Sequence, residues 1–82
     1  MQVIRTEIPD VKRLSLSAFE DNRGRFLRVF DAGVYAALGL GGPFVQENVS
    51  TSGPGVLRGL HFQRDAPQGK LVSVLAGAVA DV

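Results

Sequence analysis

The chain has 82 residues, nine Lys+Arg against eight Asp+Glu, a net charge of +1 and 45% hydrophobic residues. That length allows one small domain, and the near-neutral balance excludes a nucleic-acid or membrane-surface role driven by bulk charge. The absence of cysteine excludes a disulfide framework and thiolate metal sites, and suits the cytoplasm.

Residues 1–13 carry charges throughout and have no apolar core segment, so neither a signal peptide nor a membrane span is expected. Residues 1–7 open with a short alternating run through Val3 and Arg5, an edge strand broken at Pro9-Asp10. Residues 11–16 place Leu14 and Leu16 on one face and Arg13 and Ser15 on the other, which predicts a half-buried strand. Residues 17–24 read as a polar turn. Residues 25–30 alternate again, with Phe26, Arg28 and Phe30 on one face. An arginine between two phenylalanines fits the wall of a ligand site or an interface better than a core.

Residues 31–40 form the one predicted helix. Asp31 can cap it, Val34, Ala37 and Leu38 give an apolar spacing of three and four, and Gly39 with Gly41-Gly42 stops it. Strands are expected over 44–49, with Gln46, Asn48 and Ser50 sharing a face, and over 56–63 after the loop TSGPG. Two more, 70–75 and 78–82, flank a tight hairpin at Ala76-Gly77. Short strands with turn signals between them and one short helix predict an all-β sandwich or barrel. Val82 closes an apolar run with no turn or cap, as if within a strand.

The stretch 55–70 concentrates the chemistry. It holds the chain's single histidine, His61, three residues after Arg58 and nine before Lys70. Imidazole titrates near neutrality and can take a proton, while the two cations can face an oxyanion or a phosphate. That grouping suits removal of a proton beside a carbonyl. The competing reading is structural: a half-buried histidine, a sheet-surface arginine and a solvated loop lysine. Arg58 and His61 have opposite parity in a regular strand, so for both to reach one ligand the backbone must bend. Gly59 between them is the expected place.

The strings GVLRGLHFQ and QGKLVSVLAGAVADV, with DNRGRF at 21–26 and FVQENVSTSGPGVLRG at 44–59, closely resemble the dTDP-4-dehydrorhamnose 3,5-epimerase family. The resemblance implies a cupin-like double-stranded β-helix, a jelly roll, incomplete here because family members are roughly twice as long. Residues 1–82 would then be a single partial domain, the N-terminal portion of a cupin-type epimerase domain. It further implies a cytoplasmic, cofactor-independent epimerase acting at carbons 3 and 5 of dTDP-4-keto-6-deoxyglucose, working as a homodimer that exchanges strands.

Carried over position by position, His61 matches the family's base and Lys70 the residue at the developing oxyanion. Arg58 matches a diphosphate or sugar contact, and Gln46 and Asn48 match positions lining the sugar pocket. Arg23 matches an arginine sent across the dimer to the diphosphate, and Phe26 a ring near the thymine. Where the family commonly carries a glutamate two residues beyond the Phe26 position, this chain has Arg28. The family's catalytic tyrosine, the aspartate paired with the base and a second histidine have no counterpart here, and the single tyrosine, Tyr35, falls in the helix. One histidine cannot supply a metal-binding cupin's ligand set, so no metal is expected. The alternatives are a non-catalytic nucleotide-sugar-binding or dimerisation module of the same fold, or a single-carbon epimerase of another deoxysugar pathway.

Overall fold

The structure, a computed structural model, describes residues 1–40 and 42–82. It divides into two compact units, Met1–Val45 and Gln46–Val82.

The first unit holds all the regular structure among the described residues: two two-stranded antiparallel sheets and one short helix. β1 (Gln2–Arg5) pairs with β2 (Lys12–Ser15), with Val3 opposite Leu14. Val3, Leu14 and Leu16 share one face and are half-buried, as is Ile4 on the other face, while Arg5, Lys12 and Arg13 remain in water. Thr6 closes the connection, its hydroxyl lying 2.8 Å from the Ile8 carbonyl and 2.7 Å from that of Val11, with its single proton donated to one of them.

β3 (Ala18–Asp21) and β4 (Gly24–Leu27) form a hairpin in which Phe19 faces Phe26, Glu20 faces Arg25 and Asp21 faces Gly24. The two-residue loop is Asn22-Arg23. Neither Asn22 nor Arg23 has positive φ, so the loop is not of the type I′ kind. Asp at the first position and Gly at the fourth fit a type I turn instead.

α1 (Ala32–Ala37) begins at Asp31, whose Oδ1 accepts the Val34 N–H at 3.0 Å. Such a cap contributes about 1 kcal/mol. The end is equally explicit. Gly39 N–H donates to the Ala36 carbonyl at 3.1 Å and Leu40 N–H to that of Tyr35 at 3.0 Å. This double closure needs a left-handed residue, and Gly39 has φ +67°.

The core of this unit sits under α1. Tyr35 is the buried hydrophobic residue, 3% exposed. Its ring meets Phe30 edge-on at 4.9 Å, Phe30 meets Phe44 at 6.0 Å, and the Tyr35 hydroxyl donates to the Val29 carbonyl at 2.9 Å. The helix expected over 31–40 forms as Ala32–Ala37, with the cap at Asp31 and the stop at Gly39 as the sequence indicated; of the expected apolar face, Val34 and Ala37 are exposed and Leu38 is half-buried. Gly41 lies outside the described residues.

Several expectations are corrected. Segment 17–24, read as a turn, contains β3 and its loop, and the strand expected over 25–30 is confined to Gly24–Leu27. The strands expected over 44–49, 56–63, 70–75 and 78–82 do not form; Gln46–Val82 has turns and bends and is exposed throughout. A strand exists only when its N–H and C=O groups meet a neighbour's, and none of these segments finds one. The architecture is therefore strands with one short helix, in two small antiparallel sheets. Among the described residues no helix is long and apolar enough to cross a membrane.

Candidate functional site

The candidate residues fall in both units, and each unit presents its own set. In Met1–Val45, the β3–β4 loop places Arg23 and Phe26 along one cleft, together with Phe19, Glu20, Asp21, Gly24 and Arg25. Asp21 organises the loop. Its Oδ1 accepts the Arg23 backbone N–H at 2.8 Å, and its Oδ2 accepts Arg23 Nη2 at 2.6 Å and Nε at 3.1 Å. The guanidinium stays 86% exposed, with Nη1 turned to no protein partner among the described residues. One step along, Arg25 Nη2 lies 2.6 Å from Glu20 Oε1 across the sheet. Such an exposed pair adds at most about 1 kcal/mol.

The Arg23 guanidinium, and second the Arg23 backbone N–H, hold the Asp21 carboxyl below the usual carboxylate range. The same pairing raises Arg23. Because the folded value lies below the unfolded one, the ionised form stabilises the loop above the ordinary aspartate value of ~4. That contribution is lost as pH falls from there through the folded value. An NMR titration of the Asp21 carboxyl carbon should give a midpoint below that of a free aspartate, and Arg23→Ala should move it upward. A midpoint unchanged by Arg23→Ala would contradict the pairing.

Phe19, 69% exposed, and Phe26, 63% exposed, also border a second cleft with Met1, Ser17, Arg28, Asp31 and Val34. Arg28 Nη1 lies 3.5 Å from Asp31 Oδ2. Arg28 thus has its own counter-ion, on the residue that caps α1.

In Gln46–Val82, Gln46, Asn48, Arg58, His61 and Lys70 are all exposed. Arg58 alone among them is tied down. Its Nε donates to Ser52 Oγ at 2.9 Å and its Nη2 to the Thr51 carbonyl at 3.1 Å. It reaches back over a turn at Pro54-Gly55, where Gly55 has φ +76°. Pro then Gly with that angle is the type II pattern. Gly59, between Arg58 and His61, has φ +130°. The bulge expected at Gly59 within a strand does not arise: no strand forms over 56–63, so the positive φ lies in a loop and interrupts no ladder. Among the described residues no hydrogen bond or ion pair joins Arg58, His61 and Lys70. No group of three or more His, Asp or Glu that could hold a metal occurs among them.

Sequence reasoning passed over Phe19, Asp21, Thr51 and Ser52. Asp21 was accessible from the Asp-x-x-Gly turn spacing, and Phe19 from its register opposite Phe26 once β3 is recognised. The bond from Arg58 to Ser52 had no sequence signal.

Comparison with known proteins gives one answer. The family model described as dTDP-4-dehydrorhamnose 3,5-epimerase matches residues 5–82. A protein of that name from Escherichia coli (strain K12) is 51% identical over 85 residues, covering 100% of this chain and 45% of the relative. One from Neisseria gonorrhoeae is 49% identical over 82 residues, covering 100% of this chain and 25% of the relative. One from Methanothermobacter thermautotrophicus is 44% identical over 79 residues, covering 96% and 43%. The chain thus spans from a quarter to somewhat under half the length of these curated relatives. No solved structure matches it significantly. The match runs through the Asp21–Phe26 hairpin, the Arg58 loop and the His61 to Lys70 stretch alike, and the chain belongs to the dTDP-4-dehydrorhamnose 3,5-epimerase family.

Proposed function

We propose that these 82 residues supply the proton-abstracting part of a cofactor-independent epimerase acting on dTDP-4-keto-6-deoxyglucose at carbons 3 and 5. The observation that carries this reading is the family match over residues 5–82, which includes every candidate residue. His61 takes the proton from the carbon beside the ketone, the bond's electron pair moves into an enolate, and Lys70 faces the oxygen that gains the charge. An acid on the opposite face then returns a proton to the same carbon with inverted configuration. Tyr35 is not that acid, since it is buried and its hydroxyl serves the Val29 carbonyl. Gln46 and Asn48 hydrogen-bond the sugar without adding charge beside the base. Arg58 and a partner subunit's arginine at the Arg23 position take the diphosphate, and Phe26 packs against the thymine.

In this reading the residues form part of one cupin-type jelly roll in a cytoplasmic homodimer. Leu57, Leu60 and Phe62 are 92%, 94% and 86% exposed, which supports a face covered by further structure or by a second copy. The test is a chimera in which these residues replace the matching segment of the Escherichia coli relative. It should be dimeric by light scattering and should convert the substrate, with deuterium entering from heavy water at carbons 3 and 5. A folded chimera with no incorporation at either carbon would refute the proposal. The 82-residue chain alone has no second histidine and should show no more than slow, non-stereospecific exchange; full turnover by it would overturn the assigned need for an opposite-face acid.

A further inference from the structure

We propose that Ser52 is a ligand-binding residue, which together with Arg58 forms a two-point site for a phosphate oxygen of the substrate's diphosphate. The inference rests on the reading above for the identity of its ligand, and on the geometry of the Thr51–Ser52 loop for the site.

Arg58 Nε donates to Ser52 Oγ at 2.9 Å and Nη2 donates to the Thr51 carbonyl at 3.1 Å. Of the five guanidinium N–H groups, these bonds use two and leave three. The serine oxygen acts as acceptor toward Nε, so its own proton is not consumed and can be donated outward beside the guanidinium. Among the described residues no carboxylate lies within ion-pair distance of Arg58, and both Ser52 and Arg58 are exposed. What the loop offers solvent is a fixed positive charge with several free donors beside it. A neutral sugar hydroxyl would leave that charge unmet. A phosphate oxygen carries charge and accepts several hydrogen bonds, so it matches.

The type II turn at Pro54-Gly55 folds Thr51 and Ser52 back toward Arg58, so the site is built from residues near in sequence. The two bonds to Arg58 also immobilise a side chain that would otherwise lose rotamer freedom on meeting a ligand. Part of the ordering cost of binding is met in advance.

The test titrates inorganic pyrophosphate into the isotopically labelled 82-residue chain at constant ionic strength, following the Arg58 Nε–H and the Ser52 and Gly53 amide signals by NMR, with thymidine as the uncharged control. Pyrophosphate should shift these signals and thymidine should not. Ser52→Ala should weaken pyrophosphate about tenfold or more, the scale of a hydrogen bond to a charged group, and Ser52→Thr should restore it. Arg58→Lys separates contact from support, because lysine keeps the charge but not the guanidinium's bond to the serine. In that background Ser52→Ala should still weaken binding about threefold. If the loss vanishes there, Ser52 only holds Arg58 and the proposal is overturned; an unshifted parent spectrum overturns it too. Pyrophosphate binding with this pattern alongside a folded but inactive chimera would sink the epimerase reading and leave the anion site standing.

Discussion

Replacing His61 with asparagine in the chimera should lower exchange of the sugar's carbon-bound protons about 10²- to 10⁴-fold, the range a positioned general base supplies. Asparagine has similar size and keeps a hydrogen-bonding group, but it cannot accept a proton near neutral pH. The loss should therefore fall on the chemical step, with dTDP binding nearly unchanged. Arg58→Ala should give the complementary pattern, a weakened dTDP affinity with exchange largely retained at saturating substrate. That opposition matters because both residues lie on one exposed stretch, and general damage to it would depress both properties together. His61→Asn exchanging at the parent rate would remove the histidine from the base's role.

What could be read from the sequence divides along physical lines. The ends of the helix were legible because their signals are local: Asp31 reaches a backbone N–H three residues on, and Gly39 supplies a left-handed stop. Its buried face was not: Val34 and Ala37 are exposed and Tyr35 is covered instead. β2 was legible because Leu14 and Leu16 sit on alternate positions and are the half-buried ones. β3 was missed because its four residues, AFED, are all exposed and show no apolar alternation. It is held by the ladder to β4, which a reading of residues 17–24 by themselves does not contain. The strands expected beyond Pro43 failed in the opposite way. Alternation shows which segments can pair, and pairing also needs a neighbour. The family was legible as a literal string, GVLRGLHFQ with QGKLVSVLAGAVADV, inside the matched residues 5–82. The Arg58 bonds were not, because a long cation can meet a carbonyl or a hydroxyl only where the folded turn brings them within reach.

The largest structural effect should come from Tyr35→Ala. Tyr35 is the one buried hydrophobic residue among the described residues, so the packing of α1 on the rest of Met1–Val45 runs through it. Truncation removes the edge-on contact with Phe30, the bond to the Val29 carbonyl and most of the apolar area shielded under the helix. Aromatic-to-alanine changes in a core cost about 3–5 kcal/mol, and small domains have little stability to lose. A six-residue helix is far below the length that holds alone in water. Tyr35→Ala should therefore melt α1 and abolish the cooperative unfolding of this unit, with loss of amide-exchange protection at Leu38, Gly39 and Leu40. Tyr35→Phe keeps the ring and loses only the hydroxyl's bond, about 1 kcal/mol, and should retain both helix and transition. The contrast separates packing from hydrogen bonding as the cause. If Tyr35→Ala keeps native protection at Leu38 to Leu40, α1 is held by its cap and Gly39 closure alone and the core assigned to Tyr35 is wrong.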